Sequence, residues 1–326
     1  MDVAIKEAEK VRCITSPNPW VGCVIVAEDG SIFTGATYEI DRMHAETVAL
    51  SRAGSKAKGA TVYVTLEPCS HEGRTPPCAK SLIDAGVKKV FISIEDVDNR
   101  VSGRGVEMLR SAGIEVEVGL REQDVRKQLE PYIYQRKNLR PFVILKMAMT
   151  IDGKITSDND NKYLTSELSL RDVHKLRAES DAILVGANTV RVDNPKLNVR
   201  LYEDYFGNSE ELNPKRIVLG SVDSQAKVNA CETYSGDINS LLDELGSKGV
   251  LQLLVEGGAN VARQFNDQNL VNEYIFYVAP KVLNSKGLGV FGDLEPNIFD
   301  HLSNCDISLI ERIGPDIKIV FRNKVE

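Results

Sequence analysis

The chain has 326 residues, 42% of them hydrophobic and 27% charged, with a formal net charge of -7. That length favours two units of roughly 100 to 200 residues, and the apolar fraction is too high for a disordered chain. The acidic balance argues against a nucleic-acid partner, which calls for a clustered basic surface, and no apolar run approaches the ~18 residues of a membrane span. The opening Met1-Asp2-Val3-Ala4-Ile5-Lys6-Glu7 lacks the basic start and apolar core of a secretion signal. The expectation is a cytoplasmic protein that acts on a small molecule and binds neither nucleic acid nor membrane.

Val3, Ala4, Ala8 and Val11 among charges predict a short amphipathic helix over residues 2–12, which Ser16-Pro17-Asn18-Pro19 breaks. Residues 20–26 and 31–35, either side of Glu28-Asp29-Gly30, predict a hairpin. His44-Ala45-Glu46 runs into a helical pattern, so His44 and Glu46 are expected in a first turn. Residues 60–66 predict a buried strand ending at Pro68, and Cys78 opens a helix that Gly86 stops. Residues 87–94 and 114–118 are strand-like, and 121–135 is charged and helical in spacing. The basic stretch Arg136-Lys137-Asn138-Leu139-Arg140-Pro141 suggests a linker, with domains at 1–140 and 141–326.

His44, Cys69 and Cys78 offer one imidazole and two thiols, a soft set that suits Zn²⁺ and leaves a fourth tetrahedral position for water. Glu46 has the reach to move a proton from that water to a substrate nitrogen, the equipment for hydrolytic deamination of an amino-bearing ring. Six cysteines are too few for a disulfide framework, and Cys13, Cys23, Cys231 and Cys305 suggest buried thiols. The alternatives are two unrelated buried thiols or a structural zinc, with His71 closing a four-ligand site. Both stretches lie near helix N-termini, where the dipole favours thiolates. Residues two apart on a helix do not face each other, so His44 and Glu46 converge only at an irregular helix start.

In the second half, residues 142–148, 181–187, 215–221 and 251–258 predict apolar strands, with helical patterns between several of them, an α/β domain with a largely buried sheet. Gly257-Gly258 marks a strand-to-helix turn where backbone can approach a phosphate, although no G-x-G-x-x-G fingerprint is present. His174 and His301 show no partner in the sequence and suggest ordinary surface or core residues.

The runs Pro17-Asn18-Pro19-x-Val21-Gly22, His44-Ala45-Glu46, the stretch from Gly59 through Glu67-Pro68-Cys69-Ser70-His71 to Pro76-Pro77-Cys78, and Gly103-Arg104-Gly105 resemble the deaminase half of the bifunctional riboflavin-biosynthesis deaminase/reductase family. The eight-residue insert between the cysteines distinguishes that family from deaminases with P-C-x-x-C. The resemblance implies a cytidine-deaminase-like mixed sheet with flanking helices. In it His44, Cys69 and Cys78 hold zinc, Glu46 is catalytic, and Asn18, His71 and Arg74 contact substrate. Trp20, Thr37 and Asp96-Val97-Asp98-Asn99 depart from the family pattern at loop positions expected near the substrate.

Lys146-Met147-Ala148-Met149-Thr150-Ile151-Asp152-Gly153-Lys154, Asp193-Asn194-Pro195-x-Leu197-x-Val199-Arg200 and Val255-Glu256-Gly257-Gly258-Ala259 are similar to the same family's reductase half. That similarity implies a dihydrofolate-reductase-like α/β domain using NADPH to reduce a ribosyl group to ribityl. Ala148, Tyr163, Thr189, Asp193, Ser221, Gly258, Ala259, Asn260, Val261, Ala262, Arg263 and Gln264 would contact NADPH. Asn161, Arg177, Leu197, Arg200 and Glu256 would contact a phosphorylated pyrimidine substrate, and the family suggests a homo-oligomer, a dimer or tetramer built through this half. Tyr163 stands where the family usually has tryptophan. The alternatives are a chain that retains only one activity, a nucleic-acid-editing deaminase, and a zinc-stabilised binding module.

Overall fold

Contacts in the computed structural model divide the chain into two units, Met1–Leu139 and Arg140–Glu326. The structure describes residues 1–38, 43–71, 76–98, 102–155, 163–204, 207–209, 212–228, 230–284, 287–292 and 305–323.

In the first unit, α1 (Asp2–Lys10) precedes the hairpin β1 (Gly22–Val26) and β2 (Ile32–Ala36), then α2 (Ala45–Ala53), β3 (Thr61–Leu66), α3 (Cys78–Asp84), β4 (Lys89–Ile94), α4 (Arg104–Ser111), β5 (Glu115–Val118), α5 (Glu122–Gln128) and α6 (Glu130–Asn138). The sheet order is β2-β1-β3-β4-β5. β1 runs antiparallel to β2 and β3, whereas β3, β4 and β5 are parallel. The inner strands are the most buried and β5 is largely exposed, which is why the central runs are continuously apolar. The helical stretch expected over 121–135 is two helices, because Pro131 opens a new one, and the second continues to Asn138 through the expected linker.

The second unit begins with β6 (Phe142–Thr150), followed by α7 (Glu167–Ala178), β7 (Ala182–Gly186), α8 (Ala187–Asp193), β8 (Lys215–Leu219), β9 (Glu232–Tyr234), α9 (Ile238–Ser247), β10 (Gln252–Val255), α10 (Ala259–Asp267), β11 (Glu273–Ala279), β12 (Cys305–Ile313) and β13 (Asp316–Asn323). Eight strands form one sheet in the order β12-β13-β11-β6-β10-β7-β8-β9. It is parallel from β11 to β9, and the β12–β13 hairpin adds antiparallel strands at one edge. Leu145, Leu184, Leu253 and Val255 pack with Leu241 and Phe265 in its core. No helix among the described residues is long and apolar enough to cross a membrane.

Candidate active sites

In the first unit, α2 starts with His44 still extended (φ -74, ψ 155), while Glu46 already lies within the helix. This irregular start lets a side chain two residues away share one site with His44. α2 presses against β2 because Gly35 carries no Cβ, which would sit 2.3 Å from the Ala45 carbonyl oxygen. Cys69 follows the end of β3, and Cys78 is the first residue of α3. His44 Nδ1 lies 3.6 Å from Cys69 Sγ and 3.2 Å from Cys78 Sγ, and the three ligand atoms all fall within 4.8 Å of one another. Tetrahedral Zn²⁺ at its ordinary bond lengths holds nitrogen and sulfur about 3.6 Å apart. The residues fit zinc.

The Cys78 backbone N–H donates to Cys69 Sγ at 3.3 Å, and the Ala79 N–H donates to the Cys69 carbonyl at 3.1 Å. The Cys78 side chain, His44 and that N–H together bring the Cys69 thiol down to about 4, while the adjacent Cys69 sulfur and burial push Cys78 up. His44 is raised to about 9, first of all by its contact with Cys69. Glu46 is 3% exposed, and burial lifts its carboxyl above the usual range against the pull of His44. A buried carboxyl beside the metal set is suited to taking and returning a proton. His71, exposed at a bend, stands outside this set, so a closed four-ligand site finds no support among the described residues. Asn18 is exposed in the turn before β1, and Arg74 lies outside the described residues.

Glu67 explains why the metal loop sits where it does. Its buried carboxylate accepts the N–H groups of Asp96 at 3.1 Å, Gly103 at 2.9 Å, Gly105 at 2.8 Å and Val106 at 3.1 Å, fastening the start of α4. A Cβ at Gly105 would lie 1.9 Å from the Pro68 carbonyl oxygen, so the Gly103-Arg104-Gly105 motif is a packing demand beside Cys69. Two departures from the family pattern are buried as well. Trp20 lies against the Arg12 guanidinium, 5.3 Å from its ring centroid, and Thr37 Oγ1 accepts the Val21 N–H at 3.1 Å.

In the second unit, Arg177 of α7 grips Glu256 with Nε on Oε1 at 2.6 Å and Nη2 on Oε2 at 3.0 Å. Lys146 of β6 donates to Glu256 Oε2 at 3.2 Å, and Arg177 Nη1 to the Asn198 carbonyl at 3.2 Å. Leu197 is buried with φ +51, and Arg200 is exposed. Thr189 Oγ1 accepts the Gly258 N–H at 3.1 Å, joining two residues expected at the cofactor. A Cβ at Gly257 would lie 2.6 Å from Val261 Cβ, so the glycine pair also lets α10 pack tightly.

The N-cap residue of α10, Gly258, has no side chain to cap it, leaving N–H groups for a phosphate, a donor set that fits a dinucleotide. Ala259, Val261 and Ala262 are buried, with Val261 and Ala262 in the core, so a cofactor would meet their backbone, whereas Asn260, Arg263 and Gln264 are exposed. Ala148 is half-buried on β6, and Tyr163, Asp193 and Ser221 are exposed. Asn161 and His301 lie outside the described residues. Glu67 and Lys146 stand inside the motifs without a role there, and Asn198 is an unspecified position, yet all three are site neighbours; a lysine inside the apolar run 142–148 is the one local signal.

A His/Cys/Cys set with a buried glutamate at the starts of two helices beside one sheet, and a separate mainly parallel-sheet unit with a carboxylate-cation cluster, define a zinc deaminase joined to a reductase. Residues 1–94 match the cytidine and deoxycytidylate deaminase zinc-binding region, and residues 141–319 match the RibD C-terminal domain. The chain is 37% identical to riboflavin biosynthesis protein RibD of Chlamydia trachomatis, over 95% of this chain and 92% of that protein, and 36% identical to RibD of Aquifex aeolicus, over 99% and 97%. Solved structures of Acinetobacter baumannii RibD (TM-score 0.90, 32% identity, 99% and 98% covered) and of a Thermotoga maritima protein described as a diaminohydroxyphosphoribosylaminopyrimidine deaminase/5-amino-6-(5-phosphoribosylamino)uracil reductase (TM-score 0.86, 32% identity, 99% and 97% covered) share its fold. The chain belongs to the RibD family of bifunctional riboflavin-biosynthesis enzymes, which pair zinc-dependent deamination with NADPH-dependent reduction.

Proposed function

We propose that the two sites act in sequence on one phosphorylated pyrimidine: the first removes the ring amino group of a diaminopyrimidinone ribosyl phosphate, and the second reduces the ribosyl group of the product to ribityl. The observation that carries this reading is the buried Glu46 beside His44, Cys69 and Cys78. Zinc held there supplies the Lewis acidity that makes water nucleophilic at neutral pH. With zinc bound, Glu46 would accept a proton at its carboxylate and return it to the departing amine, while Asn18, His71 and Arg74 would orient the substrate. NADPH supplies the hydride for the second step.

Thr189, Gly258 and the start of α10 form the cofactor cradle, with Ala148, Tyr163, Asp193 and Ser221 completing it. Arg177 is engaged by Glu256 and Asn198, so the exposed Arg200 is the fork for the substrate phosphate, with Leu197 and Asn161 as further substrate contacts. Ammonia release from the diaminopyrimidinone substrate and NADPH oxidation with the deaminated product, assayed separately on the zinc-loaded chain, test the pairing. Loss of either activity removes that half of the proposal.

We place the protein in the cytoplasm, where its free cysteines stay reduced. A homo-oligomer through the second unit is supported by the edge strand β12, which leaves Ile307 and Ile310 59% and 63% exposed, an apolar edge that soluble chains normally cover.

A further inference from the structure

α7 presents two side chains about one turn apart to the irregular segment Asn198-Val199-Arg200. Arg177 Nη1 donates to the Asn198 carbonyl at 3.2 Å, and His174 Nδ1 accepts the Arg200 backbone N–H at 3.1 Å. Between them, Asn213 Oδ1 accepts the Val199 N–H at 2.8 Å. The backbone of three successive residues is thereby tied down, while the exposed Arg200 side chain rests its Nη1 on Asn198 Oδ1 at 3.0 Å. An imidazole accepts at Nδ1 only when that nitrogen carries no proton. His174 is 2% exposed, and burial together with Arg177, Arg200 and Lys146, against the pull of Glu256, holds its pKa near 4.

We infer that His174 is the positioning residue for Arg200: by accepting its backbone N–H, His174 fixes the point from which the guanidinium reaches the substrate's phosphate. A planar fork binds phosphate well only when aimed, so an Arg200 whose backbone is free to shift loses part of that contact. The inference rests on the reading of Arg200 as a phosphate contact. A histidine that merely fills core volume would be indifferent to which atom faces the Arg200 N–H.

The test is steady-state NADPH oxidation by the full chain with the deaminated ribosyl phosphate product. His174→Leu removes the acceptor, whereas His174→Asn keeps an oxygen near the Nδ1 position. His174→Leu is expected to raise KM for the phosphorylated substrate on the order of 10-fold, with kcat and the KM for NADPH within about two-fold of the parent. His174→Asn restores most of the loss, and His174→Leu combined with Arg200→Ala is no worse than Arg200→Ala alone.

Equal loss of kcat and of both KM values, or no rescue by asparagine, shows a merely structural histidine and overturns the inference. Full additivity with Arg200→Ala also overturns it, leaving the phosphate reading intact. If Arg200→Ala by itself leaves KM unchanged, the phosphate reading falls, and the inference falls with it.

Discussion

Arg177 and Glu256 meet as a two-pronged ion pair, at 2.6 Å and 3.0 Å, on which Lys146 closes from β6. Burial opposes the Glu256 charge, but Arg177 and Lys146 outweigh it and hold the carboxyl well below its ordinary range. Removing the carboxylate strands two cations in a poorly solvated place. Glu256→Gln is therefore expected to lower the stability of the second unit by about 2 to 3 kcal/mol in urea unfolding. A midpoint equal to the parent's contradicts the role given to this pair.

Glu46→Gln keeps the shape and burial of the side chain and removes its proton transfer. Ammonia release should fall by about 10² to 10⁴-fold, with zinc content and NADPH oxidation of the deaminated product unchanged. Zinc stoichiometry and both assays on one preparation check this, and normal ammonia release by a zinc-loaded Glu46→Gln protein sinks the mechanism.

Gly105→Ala tests the brace behind Cys69. The new Cβ would meet the Pro68 oxygen, a backbone atom that has to move. We expect a loss of about 2 kcal/mol in the first unit and faster removal of zinc by a chelator. Parental zinc retention in a chelator competition argues that Pro68 does not transmit strain to its neighbour.

His174 makes stability depend on pH. Its pKa is about 4 in the folded chain against an ordinary value of 6.5, so between these values the unfolded chain binds the additional proton. Stability therefore falls as pH drops from 6.5 towards 4, by at most about 1.4 kcal/mol per pH unit for one proton, and no further below the lower value. Urea titrations at pH 4 to 7 should show a shallower slope for His174→Asn than for the parent. Identical slopes would mean that this imidazole does not stay neutral in the folded chain.

The parts of this molecule legible in its sequence are those whose signal is local. The hairpin around Gly30 and the strand running into Pro68 carry their pattern within a few residues, whereas His44, 25 and 34 residues from Cys69 and Cys78, is legible through residue type, since one imidazole and two thiols form a metal set. Four strands of the second sheet, β9, β11, β12 and β13, carry no comparably local signal. β9 is short, and β12 breaks its alternation at an irregularity between Ile307 and Leu309. Supporting contacts were hidden for a different reason: Glu67 reaches Gly105 across 38 residues and Lys146 reaches Glu256 across 110, distances over which one sequence offers no pairing signal. His174 looked ordinary because its partner is a backbone N–H, which every residue but proline carries.

Whether one chain first deaminates and then reduces the same molecule is decided by following NADPH oxidation from the diaminopyrimidinone ribosyl phosphate with the parent and with Glu46→Gln. The parent should release ammonia before it consumes an equal amount of NADPH, and Glu46→Gln should consume almost none until deaminated product is added. NADPH oxidation by Glu46→Gln at the parental rate from the diamino substrate would contradict that order.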